Sequence, residues 1–263
     1  MPLAMSDVAT LLAAAVERLL PTPRLRPLVL GLAGPQGAGK STVTAGLQAQ
    51  LATRGRRLAA LSLDDFYLSQ AERMALARQV HPLFATRGPP GTHDVQACRE
   101  VLAALAAGAP TLVWRFDKAR DERAPREAWR KLEGPFDVVL LEGWCVGARP
   151  QPTEALARPV NALEALEDPQ AHWRLAVNQA LAGPYQQLFA ELDGFFLLGA
   201  PDWATVRRWR GEQEQDIAPA ERLSEAALDR FCAHFERLTR WMREEAPARA
   251  ELFVPLDAQR RPA

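Results

Sequence analysis

An apolar run, Leu28 to Ala33, leads directly into Gly34-Pro-Gln-Gly-Ala-Gly-Lys-Ser41 and Thr42. Glycines at 34, 37 and 39 let the backbone curl tightly enough for several N–H groups to converge on one phosphate. The helix-like run that follows (Val43, Leu47, Leu51) adds the positive end of its dipole. In Gly-x-x-x-x-Gly-Lys-Ser, Lys40 can reach the outer phosphates and the Ser41 hydroxyl can ligate magnesium, the division of labour that a nucleoside triphosphate requires. A nucleoside triphosphate with Mg2+ is therefore expected, cradled by Gly34, Pro35, Gln36, Gly37, Ala38, Gly39, Lys40, Ser41 and Thr42. The Gly-x-x-Gly-x-Gly spacing departs from the dinucleotide fingerprint and disfavours a nicotinamide enzyme.

With 263 residues, 48% apolar and 24% charged, the chain can bury one large α/β core or two small ones. Lys plus Arg equals Asp plus Glu at 32 each, so no basic surplus is available to hold a nucleic acid. Cys98, Cys145 and Cys232 are far apart and form no Cys-x-x-Cys pair, which suits a reducing cytoplasm. No apolar stretch reaches membrane-spanning length, and Asp7 and Glu17 oppose a signal peptide. A cytoplasmic protein with no membrane partner is expected, as monomer or homodimer.

Val8, Leu11, Leu12, Ala15, Val16 and Leu19 fall at helical spacing, and Pro21 and Pro23 close that helix. Leu58 to Leu63 reads as a second strand ending on Asp64 and Asp65, which completes a βαβ unit. In open α/β sheets ligands bind beyond the carboxyl ends of the strands, so either acid can serve as a general base; helix capping is the alternative. Residues 69 to 93 read as an ordered loop closing on Arg87-Gly-Pro-Pro-Gly-Thr-His93-Asp94. There Arg87 can grip a carboxylate and His93 can donate to one, or the stretch is a surface turn.

Thr111 to Phe116 is expected as a short strand, followed by a charged segment from Asp117 to Arg130 that forms either a flap over an acceptor site or a solvated face. Asp137 to Leu141 is the plainest buried strand and ends in Glu142-Gly143, where a carboxylate can ligate magnesium directly or through water. Residues 161 to 192 read as helical, with Trp173, Leu175, Leu181, Tyr185 and Phe189 as core. A strand at Gly194 to Leu198 precedes a helix carrying Arg207, Arg208 and Arg210, either a lid over the triphosphate or a solvated helix. Leu228, Phe231, Cys232, Phe235, Leu238 and Met242 form one stripe on a long helix, with His234 off the stripe and solvated. A last short strand is expected from Glu251 to Leu256.

Taken together, Gly-Pro-Gln-Gly-Ala-Gly-Lys-Ser-Thr, Ser-Leu-Asp-Asp-Phe-Tyr-Leu (62 to 68), Arg-Gly-Pro-Pro-Gly-Thr-His-Asp (87 to 94), Phe-Asp-Lys (116 to 118), Leu-Glu-Gly-Trp (141 to 144) and Trp-Arg-Gly-Glu-Gln-Glu (209 to 214) resemble the D-glycerate 3-kinase family. Its bacterial and fungal members are similar to uridine kinase, phosphoribulokinase and pantothenate kinase. The resemblance implies a P-loop NTPase fold of the nucleoside-kinase type: three-layer α/β/α, a mainly parallel sheet and a helical lid. One kinase domain is expected over 1–263: an N-terminal helix in 1–23 that lies outside the resemblance, acceptor-site excursions at 66–93 and 117–134, and a lid at 201–217.

The base implied is Asp64, with Asp65 a helper or part of the magnesium shell beside Ser41 and Glu142. Acceptor-site roles are implied for Tyr67, Arg87, His93, Lys118 and Arg123, and a lid role for Arg210. Asn178 and Tyr185 lie in a family-like segment without an assigned role. The expected activity is ATP-dependent phosphorylation of a small hydroxy acid, D-glycerate foremost. The alternatives are another small alcohol, such as a nucleoside, sugar or pantothenate-like acceptor, or a nucleotide-dependent switch. Against a switch stand the absence of Asn-Lys-x-Asp and Leu-Ser-Gly-Gly-Gln motifs and the presence of the loop at 87 to 94.

Overall fold

Five strands form one parallel sheet in a computed structural model that describes residues 5–20, 25–215 and 222–263. In chain order the first half contains α1 (Met5–Leu19), β1 (Leu28–Ala33), α2 (Lys40–Ala52), β2 (Leu58–Ser62), α3 (Gln70–Gln79), α4 (Val95–Ala106), β3 (Thr111–Val113), β4 (Phe116–Asp117), β5 (Glu122–Arg123) and β6 (Arg130–Leu132). The second half contains β7 (Val138–Gly143), α5 (Ala162–Glu167), α6 (His172–Ala180), α7 (Gln186–Phe189), β8 (Gly194–Gly199), α8 (Trp203–Gln215), α9 (Glu225–Glu245) and β9 (Leu252–Pro255). The sheet order is β2-β7-β1-β8-β9.

The strands read as unbroken apolar runs because both faces of the sheet are covered. Leu28, Leu30, Leu32, Val138 and Leu140 join Val8, Leu12, Val43 and Leu47 in one core. Val29, Ala33, Val139 and Leu141 join Val101, Leu105, Leu188 and Phe235 in the other. Each such side chain contributes about 1.5–3 kcal/mol on burial, and the outcome is a three-layer α/β/α fold. Register sets the site: Glu142 pairs with Leu32 on one side and Ser62 on the other, so the ends of β1, β2 and β7 are level.

Several expectations are corrected. Residues 70–79, read as loop, form α3, opened by a capping box in which Ser69 Oγ accepts from the Glu72 N–H and Glu72 returns the bond. This helix carries no apolar stripe; its anchor is Arg73, fully buried and donating to the carbonyls of Leu68 (2.6 Å) and Ala85 (3.3 Å). The strand expected over 111–116 is split, because β3 pairs with β6 and β4 with β5, both antiparallel.

His234 is 4% exposed rather than solvated, its ring against Trp173 and its Nδ1 2.9 Å from the Arg230 carbonyl. Conversely, Leu11 is 43% exposed, whereas Val8, Leu12, Ala15 and Val16 are buried. Pro21 and Pro23, and residues 216 and 217 at the end of the expected lid, lie outside the described residues.

Candidate active site

The loop between β1 and α2 turns on Gly37 (φ 74°) and Gly39 (φ 83°), both in the left-handed region that favours glycine. At Gly37 a Cβ would also lie 2.5 Å from Cβ of Trp209, because α8 packs directly on the loop. Lys40 folds back so that Nζ donates to the carbonyls of Gly34 (2.9 Å) and Pro35 (3.2 Å). Burial lowers the Lys40 pKa, opposed by the nearby Glu142 and Asp64 charges. Ser41 Oγ is 3.5 Å from Glu142 Oε1, and burial raises the Glu142 carboxyl against the pull of Lys40.

After β2 the chain makes a 3₁₀ turn, Leu63–Phe66, whose tight winding sends the two consecutive acids in different directions. Asp64 Oδ1 accepts the Tyr67 hydroxyl at 2.9 Å and Oδ2 accepts Lys118 Nζ at 2.5 Å. Burial would raise the Asp64 pKa, but the charge and hydrogen bond of Lys118 outweigh it and hold the carboxyl well below the usual range. Asp65 instead accepts the Phe116 N–H at 3.3 Å and lies 3.5 Å from Arg130, and burial raises it.

A cavity of about 780 Å³ gathers Lys40, Ser41, Asp64, Tyr67, Arg87, Lys118, Glu142 and Arg210, together with Gln36, Gly37, Gly39 and Thr42. Gly34, Pro35 and Ala38 are buried behind the loop and shape it through their backbone. Asp65 borders an adjoining, more open cavity, which it shares with Ser41, Lys118 and Glu142.

Two expected acceptor residues stand outside this lining. His93 is 5% exposed, stacked on Tyr67 with centroids 4.5 Å apart, and burial lowers its pKa to about 4. Arg123 lies 3.1 Å from Glu72 and 4.4 Å over the Trp114 ring, so its guanidinium fastens the β4–β5 hairpin to α3 rather than facing the cavity. Of the three arginines on α8, only Arg210 faces the cavity, paired with Glu214 at 2.5 Å and stacked 5.2 Å over Phe231. Arg207 pairs with Glu225 and Asp229, and Arg208 donates to the Ala258 carbonyl.

Sequence reasoning missed Asp121, which lines the cavity and binds Arg87 and Arg73. It sits in a charge run that reads as a solvated face, and its left-handed backbone (φ 53°) leaves no signal. Tyr185 acquires a place: its hydroxyl accepts the Gly91 N–H at 3.1 Å and lies 2.6 Å from His93 Nδ1. Asn178 exchanges two hydrogen bonds with the Gln151 backbone, at 2.7 and 3.0 Å, and pins the loop after β7. Trp144 Nε1 donates to the Gly88 carbonyl at 3.1 Å, tying the end of β7 to the Arg87 loop.

No group of three His, Cys, Asp or Glu side chains among the described residues is arranged to hold a metal ion. A hydroxyl and a single carboxylate, Ser41 and Glu142, nevertheless fit magnesium, which keeps several waters and binds through one or two carboxylates plus substrate phosphates.

No family model matches the chain. It is 35% identical over 206 residues to the uncharacterized kinase mug58 of Schizosaccharomyces pombe, covering 75% of this chain and 73% of the yeast protein. It is likewise 35% identical over 199 residues to the chloroplastic D-glycerate 3-kinase of Arabidopsis thaliana, covering 72% of this chain but 41% of the plant protein. In structure, the D-glycerate 3-kinase of Cryptococcus neoformans var. grubii matches with a TM-score of 0.75 and 24% identity, over 98% of this chain and 96% of that one. No described helix is long and apolar enough to cross a membrane. Since 35% identity extends over three quarters of this chain, and the phosphate loop opens a parallel sheet shared with a solved relative, the chain belongs to the D-glycerate 3-kinase family of ATP-dependent P-loop kinases.

Proposed function

We propose that the chain transfers the γ-phosphoryl group of ATP to a hydroxyl of a small hydroxy acid, with D-glycerate as the acceptor. The observation that supports this reading is that Asp64 and Arg87 line the same cavity as Lys40 and Glu142. A buried carboxylate suits a hydroxyl, and a guanidinium suits the carboxylate of an acid. The chain works as one kinase domain, in which 66–93 and 117–134 form the acceptor side and 201–215 the described part of the lid.

In this reading Asp64 accepts the hydrogen bond of the attacking hydroxyl and takes its proton. Its low pKa makes it a weak base, which suits a loose transition state in which orientation matters more than proton abstraction. Lys118 must then give up part of its hold on Asp64 as the acceptor enters. Lys40 swings from the Gly34 and Pro35 carbonyls to the outer phosphates, and Arg210 adds positive charge from the α8 side. Ser41 and Glu142 would hold magnesium, with Asp65 as their helper; the ion would supply positive charge to neutralise the phosphoryl group in transfer. Tyr67 orients Asp64, and His93 supports Tyr67 from behind.

The deciding experiment measures ADP release with magnesium ATP against D-glycerate, L-glycerate, glycerol, uridine, ribulose 5-phosphate and pantothenate. Turnover with D-glycerate far above the others is expected. Preference for glycerol or uridine would remove the carboxylate from the reading while leaving a kinase.

A further inference from the structure

Asp121 lies at the tip of the β4–β5 hairpin and its carboxylate takes two guanidinium groups at once, Oδ2 from Arg73 and Oδ1 from Arg87. The two arginines differ in freedom. Arg73 is 0% exposed and also donates to the carbonyls of Leu68 (2.6 Å), Ala85 (3.3 Å) and Asp121 itself (3.3 Å). Arg87 lines the cavity, and among the described residues its only hydrogen bond is the one from Nη1 to Asp121. A rigid chain of contacts thus runs from a fixed buried cation, through Asp121, to one nitrogen of a guanidinium whose remaining N–H groups are free.

A buried arginine needs a countercharge, and that alone would account for one carboxylate oxygen. It does not account for the second oxygen, which is turned onto Arg87. A guanidinium held at one nitrogen by Asp121 and laid over the Phe116 ring, 5.8 Å from its centroid, has its plane set, and the donors left over match a carboxylate in bidentate fashion.

We infer that Asp121 is a positioning residue for the acceptor: it takes its orientation from Arg73 and holds Arg87 in the plane that meets the acid's carboxylate. The inference rests on the role proposed above for Arg87.

Asp121→Asn tests it cleanly, because asparagine keeps the shape and tolerates the left-handed backbone at this position. Coulomb's law alone would have the lost negative charge beside Arg87 tighten the binding of an anionic acid and lower its KM. Positioning has the opposite sign: KM for D-glycerate rises about tenfold, while KM for ATP and turnover at saturation change by less than about twofold. An unchanged or lowered KM for D-glycerate overturns the inference.

Arg87→Ala, assayed in parallel, separates this inference from the reading beneath it. If Arg87→Ala raises KM for D-glycerate and Asp121→Asn does not, Asp121 has no positioning role and Arg87 keeps its own. If Arg87→Ala itself leaves that KM unchanged, the acceptor reading fails. Should the charge left on Arg73 prevent Asp121→Asn from folding, the Arg73→Gln, Asp121→Asn double variant removes the buried charge together with its partner, and the same rise or its absence decides.

Discussion

Lys118 donates to Oδ2 of Asp64 at 2.5 Å, on the carboxylate whose other oxygen takes the Tyr67 hydroxyl at 2.9 Å. The lysine comes from the turn between β4 and β5, with 61% of its side chain exposed, whereas the acid sits in the 3₁₀ turn that follows β2. Burial pushes the Asp64 pKa up and Lys118 pulls it down, and Lys118 prevails. A base works only when deprotonated, so activity falls as pH drops through its pKa. In Lys118→Met burial acts unopposed by that ammonium, and the acidic limb of kcat/KM for the acceptor moves toward neutral pH. A pH profile superimposable on that of the parent protein would show that Lys118 does not set the Asp64 charge.

Asp64→Asn keeps the shape of the side chain and removes its basicity. Turnover is expected to fall by about 10²–10³-fold, in the range of a lost general base, with ATP binding retained by calorimetry. Full activity would transfer the role elsewhere.

Glu142 is 9% exposed and 3.5 Å from Ser41, the hydroxyl with which it would share magnesium. Glu142→Gln should raise the magnesium concentration needed for half-maximal rate by about tenfold or more, as expected for a weakened ligand set. An unchanged magnesium requirement would take Glu142 out of the metal site.

Gly37 combines a left-handed φ with a Cβ position 2.5 Å from Trp209 Cβ, so any side chain there must displace α8 or the loop. Gly37→Ala is expected to lose about 1–3 kcal/mol of stability and to weaken ATP binding at least tenfold. Trp209→Ala empties a fully buried site and should cost about 3–5 kcal/mol in urea denaturation, with less effect on the loop's own conformation.

Two buried histidines set the acid stability. Burial lowers the pKa of both His93 and His234 from 6.5 to about 4. The folded state therefore binds fewer protons than the unfolded chain in that interval; the stability is fully present above pH 6.5 and is lost as pH falls toward 4. Between pH 7.5 and 5 each should cost roughly 1.5–2 kcal/mol, read from urea midpoints. His234→Gln should shrink that loss, and an identical pH dependence in the variant would show that His234 does not contribute.

The central sheet and the phosphate loop are local in origin. β1, β2, β7 and β8 are continuous apolar runs, and a run buried on both faces declares itself in one dimension. Glycine at 37 and 39, Lys40 and Ser41 announce the loop because each meets a requirement of backbone or phosphate within a few residues. Glu142 and the Asp64–Asp65 pair follow from strand ends. By contrast, α3 was invisible, since its anchor is the buried cation Arg73 rather than an apolar stripe, and the partners that make such burial tolerable, Leu68, Ala85 and Asp121, are spread along the chain.

Residue types and spacing by themselves determined the fold class, the nucleotide loop and the acids that surround it. Only the tertiary structure decided which of two adjacent acids enters the cavity, that Arg123 braces α3 while Arg87 lines the cavity, that Arg210 alone of the three arginines on α8 faces it, and that Asp121 holds Arg87. Those choices depend on side-chain direction and on pairings tens of residues apart. Strand and loop patterns are written by neighbours in the chain, whereas an ion pair across a cavity is written by the fold that brings its two halves together.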